Sequence, residues 1–267
     1  MHLRLYQPGD ISAITSIEAY CSSTDPLRLY LTCDINKNWL SYRQYCMRFL
    51  KMKLLESGTI CWVIETDVGD LLDSSEDSHE AEQTQTSGEG GEVVGFSIWT
   101  RHGTSPVARN WQKVGDGWER YLESCLLLLS LSYYNSVSPI PNDAHRQNLN
   151  TLFSSFGASP DPSIVSDYWV VDALYISPTF QRRGLGTRLL KWGLEQADEE
   201  GIPVLVDSSP EGRWIYERAG FRKIKKWEVE GWFDPGDRGM WRLLWEPAKK
   251  MGIWYDNLVD EKVKEMG

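Results

Sequence analysis

Apolar positions along the chain fall into short alternating or unbroken runs, interleaved with stretches where they recur every three or four residues. These are the periods of strands and helices in turn. Leu3-Arg4-Leu5-Tyr6 alternates as a strand, and Ile11, Ile14 and Ile17 behind Pro8-Gly9-Asp10 recur as the first helix. Asn38 to Glu56 sets Leu40, Tyr45, Met47, Phe49, Leu50, Leu54 and Leu55 among Arg and Lys, a second amphipathic helix that Gly58 stops. Thr59 to Ile64 and Val93 to Trp99 are β-branched and aromatic runs that read as a hairpin with an overlong connection. Tyr168 to Ile176 is a strand, Thr187 to Glu200 a helix, Ile202 to Asp207 a strand, and Arg213 to Phe221 a short helix. Ile224 to Val229 and Met240 to Trp245 complete the chain as a terminal hairpin. Strands in this order with helices between them predict an α/β fold, a mixed central sheet with helices on both faces.

Two segments exceed what plain connections need. Residues 65–92 hold ten acids and no Lys or Arg, so the net charge of −10 belongs to this stretch and the rest of the chain is formally neutral. Its Ser/Glu/Gly/Gln-rich composition offers too little apolar surface to offset ordering entropy, and residues 66–92 are expected to form a disordered acidic loop. Residues 101–165 read as a helical insertion: Trp118 to Ser130 and His145 to Phe156 have helical spacing, broken by Ser138-Pro139-Ile140-Pro141 and Ser159-Pro160-Asp161-Pro162. This insertion either shapes an acceptor pocket or is a structural cap. Both segments sit within one expected domain spanning residues 1–267.

Composition narrows the function classes. No run of 18 apolar residues exists, and the amino terminus has no signal-peptide core, so a cytoplasmic protein without a membrane partner is expected. No basic patch interleaved with aromatics points to nucleic acid. Five widely spaced cysteines without a C-x-x-C argue against a disulfide framework or a zinc site, and no metal is expected. The thirteen tryptophans fall mostly on predicted elements and read as core; Trp169, Trp214 and Trp232 could instead line an aromatic acceptor pocket.

The densest chemical information lies between Leu174 and Thr187. A strand runs through Gln181-Arg182-Arg183-Gly184-Leu185-Gly186 straight into a helix. Unpartnered amides and about half a positive charge at a helix start hold an anion from backbone alone, and two arginines add charge-assisted donors. Gly184 and Gly186 would let a ligand come close to the chain. The spacing is neither that of a P-loop nor of G-x-G-x-x-G. It resembles R/Q-x-x-G-x-G/A, the pyrophosphate turn of GNAT superfamily N-acetyltransferases, and Arg213-Trp214-Ile215-Tyr216-Glu217-Arg218-Ala219-Gly220-Phe221 resembles that family's last helix. Ser209-Pro210-Glu211-Gly212 resembles the version in fungal-type members.

The resemblance implies an acetyl-CoA-dependent N-acetyltransferase with a GNAT-type sheet. In that reading Leu174, Tyr175 and Ile176 line the pantetheine, Gln181, Arg182, Arg183, Gly184, Leu185, Gly186 and Thr187 hold the pyrophosphate, and Ser209 stands where many members have a pantetheine-binding Asn. Tyr216, four residues before Gly220-Phe221, matches the tyrosine that protonates the leaving thiolate. An ammonium acceptor must lose a proton before it attacks, and two carboxylates are candidates for the base. Asp172 lies in an apolar strand two residues before Leu174, so the alternation puts both on one face; Asp207 ends the next strand, where ligand crevices of such sheets open. Either could instead be a structural acid. The expected acceptor is a primary amine of a small molecule, attacking directly in a ternary complex, and the protein is expected to be a monomer or homodimer. A protein or peptide acceptor, or a non-catalytic acyl-CoA-binding module, remain the alternatives.

Overall fold

β-Branched and aromatic runs form seven strands in one sheet, and the amphipathic stretches pack on its two faces. The computed structural model describes residues 1–25, 39–67, 91–113, 160, 163–227 and 239–260, with isolated positions 122, 125, 126 and 129. The strands are β1 (His2–Leu5), β2 (Thr59–Glu65), β3 (Val93–His102), β4 (Tyr168–Ile176), β5 (Val204–Ser208), β6 (Arg222–Lys226) and β7 (Trp241–Trp245). Their spatial order is β1-β2-β3-β4-β5-β7-β6. Only β4 and β5 run parallel; the other neighbours are antiparallel. The helices are α1 (Ile11–Ser22), α2 (Trp39–Leu55), α3 (Pro106–Lys113), α4 (Leu185–Glu200), α5 (Arg213–Arg218) and α6 (Tyr255–Leu258).

One face is covered by α4 and α5. Leu190 and Ala197 of α4 and Tyr216 of α5 pack with Trp99, Trp169, Val171 and Leu243, while Leu185 and Leu189 close over Ile64, Val94 and Ile176. Gly193 lets α4 approach, because a Cβ there would run into the indole of the fully buried Trp99. The other face takes Ile14 and Ile17 of α1 and Leu50 of α2 against Val63, Phe96 and Ile98, and α6 farther along against Leu205, Ile224 and Leu244. A buried network ties α4 to the sheet. Arg101 pairs with Glu200 at 2.8 Å and Asp167 at 3.1 Å, and Glu200 also accepts the indole N–H groups of Trp111 and Trp169, both at 3.1 Å.

The β2–β3 hairpin extends past its expected ends. Thr66 N–H donates to Glu92 O at 2.9 Å and Glu92 N–H to Thr66 Oγ1 at 2.8 Å, so the acidic segment begins and ends as paired backbone. Residues 68–90 and most of the expected insertion, including His145 and all of the expected His145–Phe156 helix, lie outside the described residues, while Leu122, Cys125, Leu126 and Leu129 within the expected Trp118–Ser130 helix are helical. Near the start of that insertion the chain forms α3, which the sequence reading did not assign. Ser105 caps it, accepting the Ala108 amide on Oγ at 3.2 Å, and Pro106 supplies the first helical position.

Candidate active site

β4 and β5 pair only at Trp169–Val204, Val170–Leu205 and Val171–Val206, and beyond Val171 they part. The cause is visible in β4 itself. On β3, Trp99 faces Val171 and the adjacent Ile98 faces Ala173, so Asp172 is an extra residue, a β-bulge. An extra residue reverses the two-residue alternation. Before it, Trp169 and Val171 point to α4 and α5; after it, Leu174 and Ile176 do, and Ala173 and Tyr175 point to α1 and α2. Backbone direction reverses with it. Trp169 N–H donates to Pro203 O next to β5, whereas Ser177 N–H donates to Val94 O beside β3. The amides of Leu174 and Ile176 therefore point away from β3, into the gap left by β5.

The bulge corrects one inference from strand alternation. Asp172 does not share a face with Leu174. It lies on the α2 side, where Lys53 Nζ sits 3.0 Å from Oδ1 and the Thr100 hydroxyl donates to Oδ2. Lys53 also donates to Glu56 Oε2 at 2.9 Å, and the ring of His102 stacks on Tyr168 nearby, with centroids 4.9 Å apart. Burial works against the Lys53 ammonium, but Asp172 and Glu56 outweigh it and its pKa is raised. Burial raises the Glu56 carboxyl despite Lys53. Burial also lowers the pKa of His102, with Lys53 and Arg101 adding to the effect and Asp172 opposing it. Lys53, Glu56 and Thr100 escaped sequence reasoning. Three charged or hydroxylic residues from a helix, its C-terminal end and a strand converge only through tertiary packing.

Asp207 is held differently. Its Oδ2 receives Arg242 Nη2 at 2.7 Å, and its Oδ1 receives Arg242 Nε and the Trp227 indole N–H, both at 2.8 Å. Both oxygens are engaged by a two-pronged guanidinium on the neighbouring strand β7.

Below the gap, the turn into α4 is shaped by backbone. Arg182 takes a positive φ of 61° and Gly184 one of 77°, and α4 starts at Leu185 with no side chain capping it. The amides of Leu185, Gly186 and Thr187 in this first turn have no carbonyl four residues back within the helix. Nothing lies within 4 Å of where a Gly184 Cβ would be, so an open cradle faces the turn. Gly186 has another reason to be glycine: its Cβ would come within 2.8 Å of Ile215 Cδ1, so α5 rather than a ligand fills that space. Gln181, exposed, donates from Nε2 to Ile176 O at 3.0 Å and ties the turn to the end of β4. Arg183 lies over the Phe180 ring, and Arg182 makes no hydrogen bond or ion pair among the described residues.

Tyr216 reaches the site from α5. Its ring is buried and meets Phe221 edge-on, at 5.4 Å and 69°. Its hydroxyl makes no hydrogen bond among the described residues, and burial raises its pKa, so the phenol stays protonated. Ser209 Oγ accepts the Gly212 amide at 3.3 Å, which leaves its O–H free to donate. Of the possible pocket tryptophans, Trp169 is core, Trp214 is 54% exposed, and Trp232 lies outside the described residues.

A parallel strand pair that parts beside an uncapped, glycine-bearing helix start, with a tyrosine from the next helix, is the arrangement that the resemblance to GNAT acetyltransferases implies. Residues 158–234, from ahead of β4 to beyond β6, match the model of the acetyltransferase (GNAT) domain. No curated protein matches the chain in sequence. Among solved structures it is similar to a histone acetyltransferase HPA2 and related acetyltransferase from Corynebacterium glutamicum (14% identity, 92% of this chain and 96% of that one covered, TM-score 0.49). It is also similar to NAA60 of Arabidopsis thaliana in complex with a bisubstrate analogue (9%, 92% and 98%, TM-score 0.42) and to an N-acetyltransferase from Staphylococcus aureus (12%, 92% and 100%, TM-score 0.44).

Proposed function

We propose that this protein is an acetyl-CoA-dependent N-acetyltransferase that moves the acetyl group to a primary amine of a small molecule in a ternary complex. The observation that carries the reading is the bulge-driven parting of β4 from β5 directly above the α4 turn. It turns the amides of Leu174 and Ile176 away from β3, and in this reading they share one cleft with the uncapped amides of Leu185 to Thr187. These residues fit the cofactor. The open space at Gly184 and the uncapped helix start suit a pyrophosphate, with Gln181, Arg182 and Arg183 beside it; the free edge of Leu174, Tyr175 and Ile176 suits an amide-bearing pantetheine; Ser209 has a hydroxyl to offer it.

When bound, acetyl-CoA supplies an activated acyl group in a thioester. The N–H of Leu174 or Ile176 would be the donor to the thioester carbonyl oxygen. Asp172, whose partner Lys53 is also bound by Glu56, would take the proton of the incoming ammonium. Tyr216 would supply the proton for the departing sulfur, and burial, which raises its pKa, keeps that proton in place at physiological pH. Asp207, locked by Arg242, suits positioning rather than proton transfer.

Thermal unfolding with acetyl-CoA, NAD and ATP tests the cofactor, and a screen of amines for thiol release tests the acceptor. At 100 times its dissociation constant, acetyl-CoA should stabilise the fold by about 2.7 kcal/mol. Stabilisation by NAD or ATP instead refutes the reading. Turnover of peptides but not of free amines would replace the small-molecule acceptor with a peptide.

A further inference from the structure

We propose that Lys53 is itself an acetylation site, modified in cis by the chain's own active site. The inference rests on the acetyl-CoA reading above. It starts from the position of a primary amine: Lys53 Nζ lies 3.0 Å from Asp172, the bulge residue at which the cleft opens. Two residues farther along β4 is Leu174, whose amide faces the cleft, a distance of about 7 Å along a strand. The long flexible stem of a lysine covers that distance by rotation. Its side chain is 24% exposed, so Nζ is not sealed from solvent.

The surroundings also supply the acid–base groups. Glu56 and Asp172 grip the ammonium and are the groups that would accept its proton; Thr59 and Thr100 hydroxyls, 3.0 Å apart, and His102 complete the polar lining from β2 and β3. One ammonium proton passes to Glu56, which is 42% exposed and exchanges with water. The Nζ lone pair then forms the C–N bond while the C–S bond breaks. Tyr216 protonates the sulfur, and the second proton lost from nitrogen restores the phenol through solvent. The products are an N-acetyl-lysine, a free thiol and one released proton.

A raised pKa slows this step, since less of Lys53 is neutral at a given pH. Tethering acts in the other direction, because this amine is held on the chain beside Asp172 instead of arriving by diffusion. Acetylation would remove the only charge that stands between Asp172 and Glu56 in this trio, so modification would alter the acceptor side of the cleft without touching the cofactor turn.

The test is site-resolved mass spectrometry on the full chain, in two arms, with Lys191 as comparator because its side chain is 71% exposed on α4. With acetic anhydride and no cofactor, Lys53 should label more slowly than Lys191, as a gripped ammonium must. With acetyl-CoA the order should reverse. Lys53 should gain acetyl at least tenfold faster than Lys191, at a rate independent of protein concentration and rising about tenfold per pH unit below its pKa. If acetyl-CoA raises the melting temperature but Lys53 is acetylated no faster than Lys191, the inference falls and the cofactor reading stands. If acetyl-CoA leaves the melting temperature unchanged, both fall.

Discussion

Replacing Tyr216 by Phe removes one oxygen from the centre of the proposed chemistry. The structure separates what that does to stability from what it does to rate. The ring is 6% exposed and packs edge-on against Phe221, and Phe keeps all of that contact. The hydroxyl has no hydrogen-bond partner among the described residues, so its loss orphans nothing. Unfolding free energy should change by no more than about 0.5 kcal/mol, a melting shift of about 2 °C or less. The rate should respond very differently, because the sulfur then leaves without its proton. General acid catalysis contributes about 10²- to 10⁴-fold, which is about 2.7–5.4 kcal/mol of barrier. The assay is thiol release in saturating acetyl-CoA with an amine from the screen, beside a melt with and without acetyl-CoA. In the unsubstituted enzyme kcat should show no decline from phenol ionisation below about pH 10, because burial raises the Tyr216 pKa above its ordinary value. Full kcat in the Phe variant, with its cofactor-induced stabilisation intact, would refute the proton-donor role. Truncation to Ala is no substitute, since emptying the ring's space would itself cost about 3–5 kcal/mol.

Other perturbations give distinct outcomes. Asp172→Asn should lower kcat/KM by about 10²-fold or more at a stability cost limited because Lys53 keeps Glu56 as a charge partner, whereas Asp207→Asn should lower stability by about 2 kcal/mol or more by taking the Asp207 charge away from Arg242 without a matching loss of rate; steady-state kinetics and urea unfolding of both distinguish the roles. His102 has a folded-state pKa below its ordinary 6.5, so the unfolded chain binds the extra proton first. Its contribution is full above pH 6.5 and is lost as pH falls toward the folded value; His102→Gln should flatten urea midpoints compared between pH 7.5 and 5.5. Gly193→Ala gains about 1 kcal/mol of helix propensity but drives a methyl into the Trp99 indole, an overpacking cost of about 1–3 kcal/mol; the melting temperature should fall, and a rise would mean α4 shifts freely.

The backbone of the proposed cofactor side was legible in the sequence because it is local. A strand, a two-glycine turn and a helix are contiguous in the chain, and the observed β4 matches the expected Tyr168–Ile176 residue for residue. α4 starts two residues earlier than expected, at Leu185, because the helix begins inside the anion turn rather than after it. The acceptor side was not legible. Strand alternation assumes a period of two, and the bulge at Asp172 breaks it; nothing in Trp169-Val170-Val171-Asp172-Ala173-Leu174 marks an extra residue. Lys53 read as one more charge on an amphipathic helix, and only packing of α2 on the sheet brings it to Asp172. Gly186 looked like room for a ligand, yet Ile215 of α5 fills it. α3 was marked by Ser105-Pro106, a start signal overlooked inside a segment read as insertion.

The bulge also makes β4 two strands in series that happen to share a backbone. Its first half is in phase with β5 and belongs to the common core; its second half is out of phase and belongs to the cleft. Deleting Asp172 would restore a single phase, and it would do more than remove a carboxylate. Leu174 and Ile176 would exchange faces with Ala173 and Tyr175, the amides that now look into the gap would turn toward β3, and β5 would regain a partner along its whole length. The cleft would close as a sheet heals. One inserted residue thus acts as the phase defect that keeps this sheet open.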